Sequence, residues 1–305
     1  MPRLLRNADH LPEALARVAA GASLSAVERD LGINRNSLRN RARAAGIPTR
    51  KSGAQQRYEI NHRAFSAVRR PDQAYVLGLL AADGNVHYPK NGRAPILSLR
   101  VQAQDAWLVS ITCRVLGTDD SRIRHWFTTL DGREHAVAGV AVSSGKIAKD
   151  LSRYGVVPRK SYTLTFPHHL PVALQRHWLR GLFDGDGVTA YVTDGVPRIN
   201  LGYCGTQDLM TALADLLYER CGLARRPATS QNGPRPTNWR VQWRGREDVH
   251  RIAEYLYGDG GLALSLDRKR ELLLQALGCP YHARPLACGL RNFIQTSFDF
   301  SQTAA

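Results

Sequence analysis

Two apolar stretches of the chain break off in the same way. Residues 74–86 read AYVLGLLAADGNV and residues 176–188 read RHWLRGLFDGDGV. In both, apolar positions recur with helical spacing and then give way to an acidic residue followed by glycine. The first run ends on Asp83 and Gly84, the second on Asp184, Asp186 and Gly187. Gly84 and Gly187 stand 103 residues apart, about one small domain, and that spacing predicts a duplicated unit.

The pattern downstream of each run supports the duplication. Over 96–104, Leu97, Leu99, Val101 and Ala103 alternate with Ser98, Arg100, Gln102 and Gln104, which predicts a strand with one core face and one polar face. A helix over 105–116, two strands with Arg122 and Arg124 on one side of the first, and a helix near 145–154 complete that half. In the second half, Arg198, Asn200 and Gly202 alternate with Ile199, Leu201 and Tyr203, and a helix is expected over 207–221. There Arg240, Gln242 and Arg244 alternate with Val241 and Trp243, before a helix to about residue 257 and another near 267–277. Each half therefore reads αββαββα, an α+β class. Its outer strand faces are rich in Arg, Gln and Asn, the side chains that pair with base edges.

Ahead of the repeats lie three short helical patterns. The second is expected to open on a capping box, Ser25-x-x-Glu28, with Val27 and Leu31 inward. Gly32 and Ile33 make a turn, and Asn34 caps a third helix whose apolar face is Leu38, Ala42 and Ala45. Its other faces carry Arg35, Asn36, Arg39, Asn40 and Arg43. This is the pattern of a helix-turn-helix whose third helix contacts DNA. The expected organisation is thus 1–50 helix-turn-helix, 51–72 basic linker, 73–166 first repeat, 167–280 second repeat and 281–305 tail.

The two repeated helices pose an electrostatic problem. Gly78 and Ala82, and Gly181 and Gly185, are small residues four apart on one helix face, which lets two backbones approach closely. The glycine after each acidic residue suits the left-handed position that ends a helix. Asp83 and Asp186 then sit at the negative ends of two adjacent helices, each disfavoured by ~0.3–1 kcal/mol. A divalent cation held by both carboxylates is the simplest compensation. An EF-hand loop is excluded, because Val188 and Gly195 occupy positions that need oxygen ligands.

Charge then points to the partner. Lys and Arg exceed Asp and Glu to give a net +16 over 305 residues, which favours polyanions. No apolar run is long enough to span a membrane. No signal-peptide pattern opens the chain, and the five cysteines form no CxxC pair, so a cytoplasmic, reduced protein is expected. Cys279, His282 and Cys288 lack a fourth zinc ligand at a usual spacing.

Residues 76–84 and 179–187 resemble the nine-position LAGLIDADG motif of homing endonucleases, with Ala81 in place of the name's first Asp and Asp184 retaining it. The resemblance covers roughly residues 73–278. It implies a single-chain, monomeric enzyme whose two sheets form a saddle in the major groove of an asymmetric double-stranded DNA target. It further implies Mg²⁺ held by Asp83 and Asp186 with the carbonyls of Ala82 and Gly185. Mn²⁺ would substitute for Mg²⁺, and Ca²⁺ would bind without supporting cleavage. Lys160, Lys269 and Gln104 fall at places where the family has active-site basic and polar residues, with Thr206 as the counterpart of Gln104. A non-cleaving relative, acting as a regulator or an intron maturase, is the alternative, although such relatives tend to lose a metal carboxylate and both are present here. An intein is not expected, since the ends lack Cys or Ser and His-Asn.

Overall fold

A computed structural model describes residues 10–49, 59–90, 92–192, 198–230, 239–258 and 264–276. The tail 281–305 and the trio Cys279, His282 and Cys288 lie outside the described residues. The chain divides into two compact units, residues 1–59 and 60–305.

The first unit is three helices, α1 (Leu11–Ala19), α2 (Leu24–Leu31) and α3 (Arg35–Ala44). Ala14, Val18, Val27, Ile33, Leu38 and Ala42 form its core. The cap of α2 is Ser23, whose hydroxyl accepts from the Ala26 amide, and not the expected Ser25. Glu28 is not free to close a capping box, because its carboxylate accepts from the Arg35 amide across the turn. Asn34 caps α3 through the amides of Asn36 and Ser37. Ala45, expected on the apolar face, is exposed beyond the last turn.

The second unit repeats one motif. Its first half runs α4 (Pro71–Ala82), β1 (Asn85–His87), β2 (Ile96–Gln102), α5 (Trp107–Val115), β3 (Arg124–Leu130), β4 (Arg133–Ser143) and α6 (Gly145–Ser152). The second runs α7 (Val172–Asp186), β5 (Val188–Val192), β6 (Arg198–Gly205), α8 (Gln207–Cys221), β7 (Thr229–Ser230), β8 (Trp239–Arg244) and α9 (Arg246–Tyr257), followed by α10 (Asp267–Ala276). The class is α+β, with each half αββαββα. The two antiparallel sheets have matching order, β1-β2-β4-β3 and β5-β6-β8-β7.

The alternating strands face as their pattern requires. Leu97 and Leu99 are buried while Arg100 and Gln102 are exposed; Ile199, Leu201, Tyr203, Val241 and Trp243 are likewise buried. Two details differ. The strand β2 stops at Gln102, and Gln104 lies in a single 3-10 turn, Ala103–Asp105. Arg122 is in the 3-10 turn Asp120–Arg122 ahead of β3, not on the strand.

Residues 60–70, expected within a polar linker, are part of the core. Ala64, Phe65 and Val68 are buried there, the Asn61 amide donates to the Leu116 carbonyl at 2.7 Å, and Gln73 Nε2 donates to the Ala64 carbonyl at 2.8 Å. Three apolar residues in this basic segment suffice to anchor it, and its net charge hid them.

The centre of the unit is the pair α4 and α7. Every residue of α4 from Gln73 to Ala81 is buried, as expected for a helix apolar on all sides. Pro71 opens it, and Gln73 Oε1 accepts from the amides of Arg69 and Arg70. A Cβ on Gly78 would lie 1.9 Å from the Trp178 carbonyl oxygen, and one on Gly181 would lie 2.0 Å from that of Tyr75. Both positions accept glycine alone, and the backbones meet there.

Candidate functional site

Because α4 and α7 cross at their glycines, their C-terminal ends emerge together. Asp83 is the C-cap of α4 and Asp186 the last residue of α7. A Cβ on Gly185 would touch Ala82 Cβ and stand 2.9 Å from Asp83 Oδ2, so the Asp83 carboxylate rests against the partner helix. Gly84 and Gly187 do not take the expected left-handed conformation; Gly187 is extended. They are glycines because a Cβ would press on the Leu80 or Phe183 carbonyl, at 2.5 and 2.4 Å.

The two carboxyls carry the cost of this crowding. Burial of its surroundings, then the charge of Asp186, push Asp83 up to about 6, against the pull of Lys160, Lys269 and Arg268. Burial likewise raises Asp186, opposed by the same two lysines. Each lysine is fixed by the carbonyls at the end of its own half's helix. Lys160 Nζ donates to the Gly84 carbonyl at 2.6 Å, and Lys269 Nζ to the Gly187 carbonyl at 2.8 Å. Lys269 also reaches the carbonyls of Phe183 at 2.7 Å and Gly185 at 3.1 Å. Cations at the negative helix ends offset the macrodipole there. Burial lowers both ammonium groups from the ordinary lysine range, and the carboxylates push back.

Asp184, the retained motif acid, has a different role from Asp186. It is buried, with Oδ2 accepting from the Tyr75 hydroxyl of α4 at 2.7 Å and from the Leu266 amide at 2.8 Å. Burial pushes its carboxyl up to about 6. Ala81 takes the matching place in α4 and is buried without polar partners of its own side chain.

Each carboxylate opens on its own cleft. The one at Asp83 has a volume of about 410 Å³ and is lined by Arg100, Gln102, Asp105, Trp126 and Arg268 among others. The one at Asp186, about 180 Å³, is lined by Ser161, Cys204, Gly205 and Thr206 among others. Gln104 lines neither and donates to Gln102 Oε1 at 2.9 Å; it is Gln102 that reaches the cleft. Thr206 caps α8, accepting from the Leu209 amide and donating to the Leu164 carbonyl at 2.6 Å.

The outer sheet faces continue from these clefts. Arg100, Gly139 and Arg124 form one line across β2, β4 and β3. The Arg100 side chain crosses Gly139, where a Cβ would stand 3.3 Å from its Cγ, and its guanidinium lies over Trp126 at 5.6 Å. Arg122 is committed elsewhere, donating to the Ala141 carbonyl at 2.6 Å. In the second sheet, Asn200 pairs with Arg244, Gly202 with Gln242 and Cys204 with Arg240. Among the described residues, Asn200 Oδ1 and Arg240 Nε have no hydrogen-bond partner. Arg198 pairs through its backbone with Val192. In the first unit, Arg35, Asn36, Asn40 and Arg43 are exposed on α3, and Arg39 is half-buried, donating to Asn36 Oδ1 at 3.2 Å.

Sequence reasoning missed Asp105 and Arg268, which meet at 3.2 Å within the Asp83 cleft. Among the described residues, no group of three or more His, Cys, Asp or Glu side chains converges on a point, and no helix is long and apolar enough to cross a membrane.

No protein-family model matches the chain, and no curated protein matches it. Among solved structures it is similar to "The homing endonuclease I-WcaI bound to its DNA recognition sequence", at 10% identity and a TM-score of 0.46, over 68% of this chain and 87% of that one. It is similar to the LAGLIDADG homing endonuclease I-GzeII in complex with DNA target, at 13% identity and TM-score 0.42, over 76% and 93%. A third similarity is to I-DmoI in complex with DNA and Mn, at 14% identity and TM-score 0.32, over 64% and 98%.

Proposed function

We propose that this chain is a monomeric, site-specific, divalent-metal-dependent DNA endonuclease of the LAGLIDADG homing type. One observation carries the reading: two carboxylates crowded at the ends of a glycine-packed helix pair, each beside a buried lysine, where the Arg- and Gln-bearing sheet faces begin.

The donor set suits a hard cation. Asp83, Asp186 and the helix-end carbonyls of Ala82 and Gly185 offer oxygen alone; the Gly185 oxygen takes Lys269 and keeps a second lone pair. Two carboxylates without a closed cage match Mg²⁺, which retains waters and shares its shell with substrate phosphates. Mn²⁺ would replace it in cleavage, and Ca²⁺ would support binding only. When bound, the metal would activate water and offset charge on the attacked phosphate. The chain itself does the rest. Asp83 and Asp186 orient the reacting groups, and Lys160 and Lys269 place positive charge beside them. Arg100, Gln102, Arg124, Asn200, Arg240, Gln242 and Arg244 address base edges or phosphates. The halves differ in sequence, so the target is asymmetric. The α3 helix of the first unit adds phosphate contacts through Arg35, Arg39 and Arg43, and the protein works in the cytoplasm.

The test is selection of cleaved duplexes from a randomised DNA library with Mg²⁺, followed by Asp83→Asn and Asp186→Asn. Each variant should lose double-strand cleavage and keep specific binding of the selected site. Wild-type cutting by either would remove the metal assignment. Binding without cutting by the parent would favour the regulator reading.

A further inference from the structure

The Asp83 cleft holds an ion pair that joins the two halves. Arg268 of α10 donates to Asp105 Oδ2 at 3.2 Å, across 163 positions of sequence. The Asp105 side chain is 9% exposed and that of Arg268 is 52% exposed. The carboxylate is therefore a fixed anchor set into the first half, and the guanidinium is a tethered group with donors left over. A guanidinium has five N–H donors in a rigid fork, and one contact to Asp105 leaves most of them available to an anion. Both residues line the cleft beside Asp83 and Arg100, and the Arg268 charge is among those pulling the Asp83 carboxyl down.

The Asp186 side is built differently. Its cleft is less than half as large and, among the described residues, is lined by no Arg or Lys. Arg159 precedes Lys160 as Arg268 precedes Lys269. Arg159 is exposed on a left-handed backbone and lines neither cleft.

The geometry points to Arg268 as a contact to one backbone phosphate of bound DNA, positioned by Asp105, on the Asp83 side only, so that the two strands are cut with unequal assistance. This deepens the endonuclease reading and rests on it. A planar fork beside the carboxylate pair matches phosphate oxygens bidentately, which a lysine cannot do. Asp105 is a positioning residue: it touches no DNA and acts through Arg268.

The experiment uses the full-length protein and a supercoiled plasmid carrying the selected site, with each strand end-labelled in a linear companion substrate. Arg268→Ala should slow one strand on the order of 10²-fold, the scale for deleting one preorganised charge donor, and leave the other within about threefold. Nicked circles should accumulate. Arg268→Lys, which keeps the charge and loses the fork, should slow the same strand less, and Asp105→Asn should also act on that strand. Arg159→Ala should leave the strand ratio as in the parent. In EDTA, where no cutting occurs, Arg268→Ala should reduce the slope of log K against log salt by about 0.9, one phosphate's worth. Equal slowing of both strands by Arg268→Ala and Asp105→Asn would mark the pair as a plain brace between the halves and overturn the proposal. An unchanged salt slope would overturn the phosphate contact. A parent protein that binds no duplex fails differently, since the endonuclease reading itself then falls.

Discussion

Gly181 is the position where a single methyl group does the most. Its Cβ would lie 2.0 Å from the Tyr75 carbonyl oxygen and 2.8 Å from the Leu79 nitrogen, and ordinary contact begins at 3.4 Å. Relief in Gly181→Ala thus requires the two helix backbones to part by about 1.4 Å, because no rotamer change moves a carbonyl. Overpacking costs ~1–3 kcal/mol or more where side chains can adjust, and alanine returns ~1 kcal/mol of helix propensity. A backbone collision belongs at the upper end, so a net loss of about 2 kcal/mol is expected. With m near 2–3 kcal/mol/M in urea, the midpoint should fall by about 0.7–1 M. All five tryptophans lie between residues 107 and 243, so their fluorescence follows the second unit alone. Gly145→Ala is the control: its Cβ would meet only Pro95 Cδ at 3.9 Å, and the midpoint should hold or rise. Parting the helices also separates Asp83 from Asp186, so cleavage should fall further than DNA binding. A Gly181→Ala midpoint at or above the parent's would refute the close-packed seam.

Other substitutions probe neighbouring features. Tyr75→Phe removes one of two donors to the buried Asp184 carboxylate and should lower stability by about 1.5–3 kcal/mol in the same urea titration. A change within noise would mean that the hydroxyl is incidental. Asp83 is raised above its unfolded value to about 6, so the folded state binds the extra proton and its charged form is a burden at higher pH. Asp83→Asn should therefore raise the melting temperature of metal-free protein near about pH 7.5, with the gain shrinking through the window between the two values and absent near about pH 3.5. A gain that grows on acidification would reverse the assignment. Arg100→Ala and Arg240→Ala should each cost ~1–3 kcal/mol of discrimination and relax base preference in opposite half-sites; uniform weakening at all sites would mark phosphate contacts instead.

The parts of this architecture that were legible in sequence are those with a local period. Alternation in β2, β6 and β8 gives their faces, and the i, i+4 spacing of Gly78 with Ala82 and of Gly181 with Gly185 gives the helix seam. What stayed hidden depends on partners far along the chain. Nothing near Arg122 shows that Ala141 takes its guanidinium, and nothing near Asp184 shows the Tyr75 hydroxyl 109 residues away. The cap of α2 is Ser23 and not Ser25, because Glu28 satisfies the capping-box pattern but is engaged by the Arg35 amide across the turn. Gln104 is not on the strand because the period of two ends at Gln102, where the backbone turns into a 3-10 coil.

The tie between Asp184 and Leu266, and that between Asp105 and Arg268, give this fold a direction in time. A growing chain emerges from the ribosome with Asp83 and Asp105 long before α10 exists. Asp184 waits 82 residues for the Leu266 amide and Asp105 waits 163 for Arg268. Lys269, which binds the carbonyls at the end of α7, arrives in the same late helix. No nascent fragment that stops short of α10 can hold the charged corner together, however well its first sheet has folded. The order of translation thus leaves the Asp83–Asp186 corner without Arg268 and Lys269 until nearly all of the second unit has been made.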